Sequence, residues 1–478
     1  MSFLEQFVSF SNDILWSYIL IALLIVLGTY FTIRSRFVQF RLFPEMVRLL
    51  ADGAGKVGEK KEGISSFGAF CISTASRVGT GNLAGVAMAI ALGGPGAVFW
   101  MWVIALIGSA SAFVEATLAQ IYKVKDGDGY RGGPAYYMEK ALNQRWMGVL
   151  FAVLITLCFG LVFNSVQANT ITMAMETAFG TDRLITGLAL SAVTAVIIFG
   201  GVKRIARVAE WMVPVMAGAY VLIAAFVIFK NFALIPTVLL LIVKSAFGFE
   251  QMAGGGMGAA LMMGIKRGLF SNEAGMGSAP NAAATAEVSH PVKQGLVQSL
   301  GVFVDTLVLC SCTAFIVLLS GAYTIEGLQG IELLQTGLSS QIGAWASSFM
   351  AFAVLLFAFS SVIGNYYYGE TNIEFINSNK VWVLLYRMAV VGMVLFGSVA
   401  KIGIVWDMAD LFMALMALTN LAAIMLLGKI AFAALADYVE QKKQGKDPVF
   451  HARSIEGLQH AECWMDGEDR SRKQKRVV

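Results

Sequence analysis

Arg77-Val-Gly-Thr-Gly-Asn82-Leu-Ala-Gly85 and Arg267-Gly-Leu-Phe-Ser-Asn272-Glu-Ala-Gly275 decide the fold. Both keep the pattern Arg-x4-Asn-x-Ala-Gly, at an offset of 190 residues. Phe113-Val-Glu115 returns as Phe303-Val-Asp305 at the same offset. Phe199-Gly-x-Val202 returns as Phe396-Gly-x-Val399, and Val208-x-Glu210 as Val405-x-Asp407, at 197. Pro44 and Pro236 differ by 192. Each match is short, but their common order and near-constant offset describe an internal repeat.

Composition says what is being repeated. The 478 residues are 57% hydrophobic and 14% charged, with a mean hydropathy of +0.70. A soluble domain carries roughly 25% charge, so a soluble enzyme of this length is excluded. About 20 apolar residues cross a bilayer as one helix, which leaves room for ten to twelve crossings. Eleven apolar segments stand out, near 14–32, 66–92, 97–122, 146–178, 183–200, 207–229, 255–285, 292–321, 342–372, 381–400 and 404–428. Two shorter ones, 42–51 and 236–246, each have a proline at or near their start (Pro44, Pro236) and read as helices on the membrane surface. Loop 322–341 carries no Lys or Arg.

Lys and Arg set the orientation. Arg34, Arg36, Arg41, Arg48, Lys56, Lys60 and Lys61 follow the first segment, and Lys123, Lys125, Arg131, Lys140 and Arg145 fall on the same side. The tail ends in Arg470, Arg472, Lys473, Lys475 and Arg476. This places the N-terminus outside and the C-terminus in the cytoplasm of a cell whose inner membrane holds the chain. The N-terminus opens with acids and no basic stretch, unlike a cleaved leader. The net charge of +4 is no sign of nucleic acid.

Five crossings per repeat is an odd number, so the second copy is inverted, the construction typical of secondary transporters. The expected fold is all-α and polytopic: one N-terminal helix plus a 5+5 inverted repeat with two broken helices. The corresponding units are 1–40, 41–232 (with its surface helix), 233–430, and a polar tail, 431–478. The breaks fall at Val78–Asn82 and Phe270–Gly275, where Gly and polar residues occupy mid-membrane. Irregular backbone at that depth survives only inside protein or beside a cavity. It exposes carbonyls for a cation and helix-start N–H groups for an anion. Close packing through small residues accounts for Gly81-x3-Gly85 but not for Asn82, Asn272 and Glu273.

Ionisable residues in a membrane are functional candidates. Glu115 and Asp305, as repeat mates, are expected to anchor the repeats rather than touch solute; Glu273 is expected to cap the second half-helix. The five cysteines have no metal-pair spacing and read as packing residues. No His lies in an apolar segment, which removes the usual base or metal ligand of a membrane enzyme.

Val78–Gly85, Gly93-Gly-Pro-Gly-Ala-Val-Phe-Trp-Met-Trp102, Gly132-Gly-Pro-Ala-Tyr-Tyr137 and Phe270-Ser-Asn-Glu-Ala-Gly-Met-Gly-Ser-Ala-Pro-Asn281 resemble signature stretches of the alanine/glycine:cation symporter family, over roughly residues 10–440. The resemblance implies sodium-coupled import of alanine or glycine and a leucine-transporter-like fold. At 364–370 the chain reads Gly-Asn-Tyr-Tyr-Tyr-Gly-Glu where many members have Gly-Trp-Ser-Tyr-Tyr-Gly-Glu. Asn365 thus replaces an aromatic residue that the family keeps near the substrate.

For such a substrate, the carboxylate is expected at Thr80, Gly81 and Asn82. The ammonium is expected at Ser271, Asn272 and the carbonyls around them, with Gln167 and Asn365 as further contacts and Phe270 capping the side chain. A hard cation wants oxygens. Carbonyls of Ala75 and Val78 face the first break, and similarity to the leucine-transporter fold adds Ser360 and Ser361. Arg77 with Glu210, and Arg267 with Asp407, are candidate gates at opposite ends of the pathway, interfacial snorkelling being the simpler role for each Arg. The expected partners are alanine or glycine, Na+ and the bilayer, with no cofactor beyond the coupling ion, no nucleic acid and no obligate protein partner. Rival readings are a proton-coupled carrier, with Glu273 titrating, and a membrane nutrient receptor.

Overall fold

The computed structural model describes residues 3–54, 64–127, 129–199, 202–248 and 256–465, the side chains of 3, 4, 54 and 202–213 aside. Among them, strand is confined to one hairpin, Val124–Asp126 paired antiparallel with Gly129–Arg131. Everything else that is regular is helical.

Seven described helices are long and apolar enough to cross a membrane: Glu5–Arg34, Ala97–Ile121, Arg145–Phe179, Pro291–Ser320, Trp345–Ile376, Lys380–Val399 and Ile402–Lys443. An eighth crossing forms if Pro214–Lys230 is joined to Phe232–Ala246, which bends away by 78°. The expected count of eleven therefore rests on three further segments that fail as continuous spans. Arg183–Ile198 has only 16 residues. The other two are the interrupted segments marked by the repeat, Ser66–Arg77 with Gly81–Gly93, and Met257–Asn272 with Ala279–Ala283. Short helices do form at Phe43–Ala54 and Ile235–Ala246, where the surface helices were expected.

Each interruption has a local cause. After Arg77 come two glycines within three residues, each costing about 1 kcal/mol relative to alanine in a helix. The Asn82 amide oxygen accepts the Gly79 N–H at 3.1 Å, and the chain resumes as a wide π-helical turn, Gly81–Gly85. In the second copy Glu273, Gly275 and Gly277 all take positive φ, +57°, +80° and +87°. Pro280 then sits in the first turn of the restarted helix, a position where its missing N–H costs nothing.

Glycines let the long helix Trp345–Ile376 lie directly on the first break. A Cβ at Gly79 would sit 2.1 Å from Ser361 Oγ, and one at Gly364 would sit 2.9 Å from the Ser76 nitrogen. Only hydrogen fits at either crossing.

Two expectations change. Segment 322–341 is not a loop throughout: Gly330–Ile342 is a helix. Ile331, Leu334 and Leu338 recur at helical spacing and are buried, which hydropathy averaged over a polar stretch conceals. The described part of the expected polar tail, 431–465, also packs against the rest of the chain. Helix Ile402–Lys443 runs past residue 430. The chain then folds back so that Phe450 and Ala461 are buried, and Trp464 donates to the Gln120 carbonyl at 2.9 Å.

Candidate substrate and cation site

The two breaks meet. A Cβ on Gly81 would lie 3.0 Å from Phe270 Cδ1 and 3.1 Å from Ser271 Cα. Around this contact the structure gathers most of the residues singled out from sequence.

On the first break, the Thr80 N–H donates to Gln167 Oε1 at 3.0 Å. The Thr80 hydroxyl is buried with no protein partner. A buried polar group left unpaired costs about 1–3 kcal/mol, so this hydroxyl is open to a further hydrogen-bond partner. Asn82 donates from Nδ2 to Asp305 Oδ1 at 2.7 Å, and Thr313 donates to its carbonyl at 2.6 Å.

On the second break, Ser271 donates to Asp305 Oδ2 at 2.8 Å. Asn272 is used within the break itself: its Oδ1 accepts the Ala274 N–H at 3.0 Å and its Nδ2 reaches Thr306 Oγ1 at 3.3 Å. Phe270 is held between Phe163 and Trp406, with ring centroids 4.5 and 4.8 Å away. Asn365, fully buried, has its Oδ1 2.7 Å from the Ser76 hydroxyl, whose single proton it shares with Glu273, while its Nδ2 has no partner.

The four expected cation ligands also come together. Ser360 Oγ lies 3.4 Å from the Ala75 carbonyl, and Ser361 Oγ lies 3.4 Å from that of Val78. These are long for O–H···O bonds, whose usual distance is about 2.7–2.8 Å. Both hydroxyls also donate to the Phe357 carbonyl, at 2.8 and 3.2 Å. The arrangement is two neighbouring hydroxyl–carbonyl pairs, all oxygen.

The buried acids take different posts. Glu115 accepts the N–H groups of Gly275 and Gly277, both at 3.1 Å, and Asn420 Nδ2 at 2.8 Å. It thus ties down the backbone of the second break, whereas the restarted helix Ala279–Ala283 has Ser278 at its N-cap and no side-chain cap, so the capping expected of Glu273 is not seen. Glu273, turned by its left-handed backbone, instead accepts from Ser76 at 2.9 Å and Ser278 at 2.5 Å.

The gate at Arg267 needs a correction. Arg267 pairs with Asp410 at 2.7 Å, not with Asp407, and Lys266 reaches the same carboxylate oxygen at 2.9 Å. Residues three apart on a helix stand on one face a turn apart, and the repeat match located the helix start without saying which acid turns inward. The Arg267 guanidinium lies over the Trp406 ring at 4.5 Å. Arg77 is buried; one nitrogen donates to the Gln298 carbonyl at 3.3 Å and two have no partner. The Glu210 side chain, its expected partner, lies outside the described residues.

Sequence reasoning missed Ser76, Trp406 and Asp410 at the site, and Cys310, whose sulfur lies 3.2 Å from Ser271 Oγ. Ser76 and Trp406 adjoin residues it did select, so only their direction was unreadable.

Interrupted helices that meet inside a bundle of membrane-length helices, with buried polar groups at their contact, point to the class of membrane transporters. The model of the sodium:alanine symporter family matches residues 1–452, and the chain belongs to that family. It is 62% identical to the probable sodium/glutamine symporter GlnT of Bacillus subtilis, over 96% of each chain. It is 57% identical to the amino-acid carrier protein AlsT of the same organism, over 97% of this chain and 98% of that one. Identity to the sodium/alanine symporter AgcS of Methanococcus maripaludis is 37%, over 90% and 96%. Among solved structures, a mutant manganese transporter of Eremococcus coleocola aligns over 80% of this chain and 82% of its own, at 15% identity and a TM-score of 0.48.

Proposed function

We propose that this integral membrane protein imports a small neutral amino acid, alanine or glycine, together with Na+, by alternating access. The observation that carries the reading is the adjacency of two unlike half-sites on one break. The oxygens of Ala75, Val78, Ser360 and Ser361 suit a hard cation, and two residues on, Thr80 offers an unpartnered hydroxyl to a carboxylate. Entry of one positive charge supplies about 2.3 kcal/mol per 100 mV, enough with a sodium gradient to concentrate a zwitterion. In this reading the protein lies in the inner membrane with its N-terminus outside and its C-terminus in the cytoplasm. Segment 1–40 precedes two inverted units, 41–232 and 233–430, and 431–478 is cytoplasmic. The Arg267–Asp410 pair with the Phe163–Phe270–Trp406 stack forms the outer closure.

The test is uptake of labelled alanine into proteoliposomes. An inward sodium gradient should drive accumulation, and replacing sodium by choline should abolish it. Accumulation driven equally well by a proton gradient without sodium would overturn the coupling.

One observation favours a second substrate. The free end of the buried Asn365 amide suits an amide side chain, and GlnT bears a glutamine name. Glutamine competing with alanine uptake, while glutamate does not, would support this reading.

A further inference from the structure

Asp305 is buried to 1% exposure and the reading above gives it no task. Its position is unlike that of its repeat mate. Glu115 touches the second break and not the first. Asp305 touches both: Oδ1 accepts Asn82 Nδ2 from the first break at 2.7 Å, and Oδ2 accepts Ser271 Oγ from the second at 2.8 Å. Thr306 Oγ1 also donates to Oδ2, at 3.1 Å. The π-helical turn Phe303–Cys310 carries the carboxylate, and such turns re-aim side chains at functional sites.

The bond to Asn82 has a consequence one residue further along. A carboxylate only accepts, so it fixes which end of the Asn82 amide faces it. The NH2 must point to Asp305, and the oxygen is then left for the Gly79 N–H, which it accepts at 3.1 Å. Gly79 is flanked by Val78, whose carbonyl faces the cation half-site, and by Thr80, whose hydroxyl faces the substrate half-site. On the other oxygen, Ser271 follows Phe270, the ring that covers the site. A chain of bonds thus runs from Gly79 through Asn82 and Asp305 to Ser271, and the two at the carboxylate are charge-assisted and stronger than neutral ones.

We infer that Asp305 is a positioning residue that couples cation binding to substrate binding by tying the two breaks together. The inference rests on the sodium-coupled reading. A cation that orders Val78 and Gly79 fixes Asn82, and through Asp305 it holds Ser271 and Phe270 in the arrangement that closes on the amino acid. Coupling between two ligands is reciprocal, so the amino acid also tightens the cation.

The experiment measures the half-saturating alanine concentration at a series of sodium concentrations, in proteoliposomes holding the full chain or Asp305→Asn. In the wild type the alanine value should fall as sodium rises, by a factor within the roughly 5- to 150-fold usual for coupled sites. In Asp305→Asn, which keeps the volume and removes the acceptor-only group, that fall should largely disappear while both ligands still bind. A purely structural role would lower the amount of active carrier and its maximal rate and leave the sodium dependence of the alanine value as in the wild type; that result overturns the inference. Should Asp305→Asn fail to reach the membrane, Thr306→Val removes one donor to the same carboxylate. It should weaken the dependence in the same direction, and an unchanged dependence there also overturns the inference. If the wild type itself shows no sodium dependence, the symport reading fails instead.

Discussion

Gly81→Ala adds one methyl group where the two interrupted helices touch. The new carbon would lie 3.0 Å from Phe270 Cδ1, 3.1 Å from Ser271 Cα and 3.3 Å from Ser271 Cβ. Neither neighbour yields easily. Ser271 Cα is backbone, and the Phe270 ring is wedged between Phe163 and Trp406. Overpacking of this kind costs about 1–3 kcal/mol. The cost falls only on the state in which the breaks meet, so its population should drop by about 5- to 150-fold, at tenfold per 1.4 kcal/mol. Sodium-driven uptake of labelled alanine, with reconstituted protein matched by amount, reads this directly. Gly85→Ala is the internal control, since its added carbon would find its nearest neighbours at 3.6 and 3.7 Å, ordinary contact distances. Wild-type rate and half-saturation in Gly81→Ala would refute the claim that transport passes through this contact.

Replacing Ser360 and Ser361 together by Ala should raise the sodium concentration for half-maximal uptake; an unchanged value would move the cation elsewhere. Asp410→Asn should impair transport more than Asp407→Asn, because removing one partner of a buried ion pair costs about 3–5 kcal/mol. Arg267→Asp with Asp410→Arg should recover part of the loss of either single reversal, and no recovery would remove the pair from the pathway's closure. Burial would raise the Glu45 carboxyl, but hydrogen bonds from Arg48, Tyr438 and Lys442 outweigh it and lower it from 4.5 to about 2. Its contribution to stability is then complete above pH 4.5 and lost as pH falls toward 2. Thermal unfolding of Glu45→Gln should lack that part of the acid dependence, and an identical pH slope would contradict the assignment.

The repeat was legible because Arg-x4-Asn-x-Ala-Gly is short, polar and set in apolar sequence. The breaks were legible because glycine and asparagine have no cheap place inside a long apolar helix. What stayed hidden was direction. Asp407 and Asp410 are one turn apart, and only packing decides that Asp410 meets Arg267. Glu273 had the right position in the chain to cap the second half-helix, yet its positive φ turns it toward Ser76 and the Ser278 hydroxyl, and Glu115, from a helix far away in sequence, takes the N–H groups inside the break. The helix Gly330–Ile342 and the docked segment around Phe450 pass for a loop and a polar tail in the sequence because their few buried apolar residues are diluted by polar neighbours.

The central claim is that one site binds sodium and amino acid together. Its most direct test is the entry of labelled sodium into proteoliposomes with no sodium gradient imposed and alanine added outside. Alanine should stimulate sodium entry in the wild type, and the stimulation should be lost in Gly81→Val, where a still bulkier side chain separates the breaks. Alanine entry that brings no sodium with it would contradict the account.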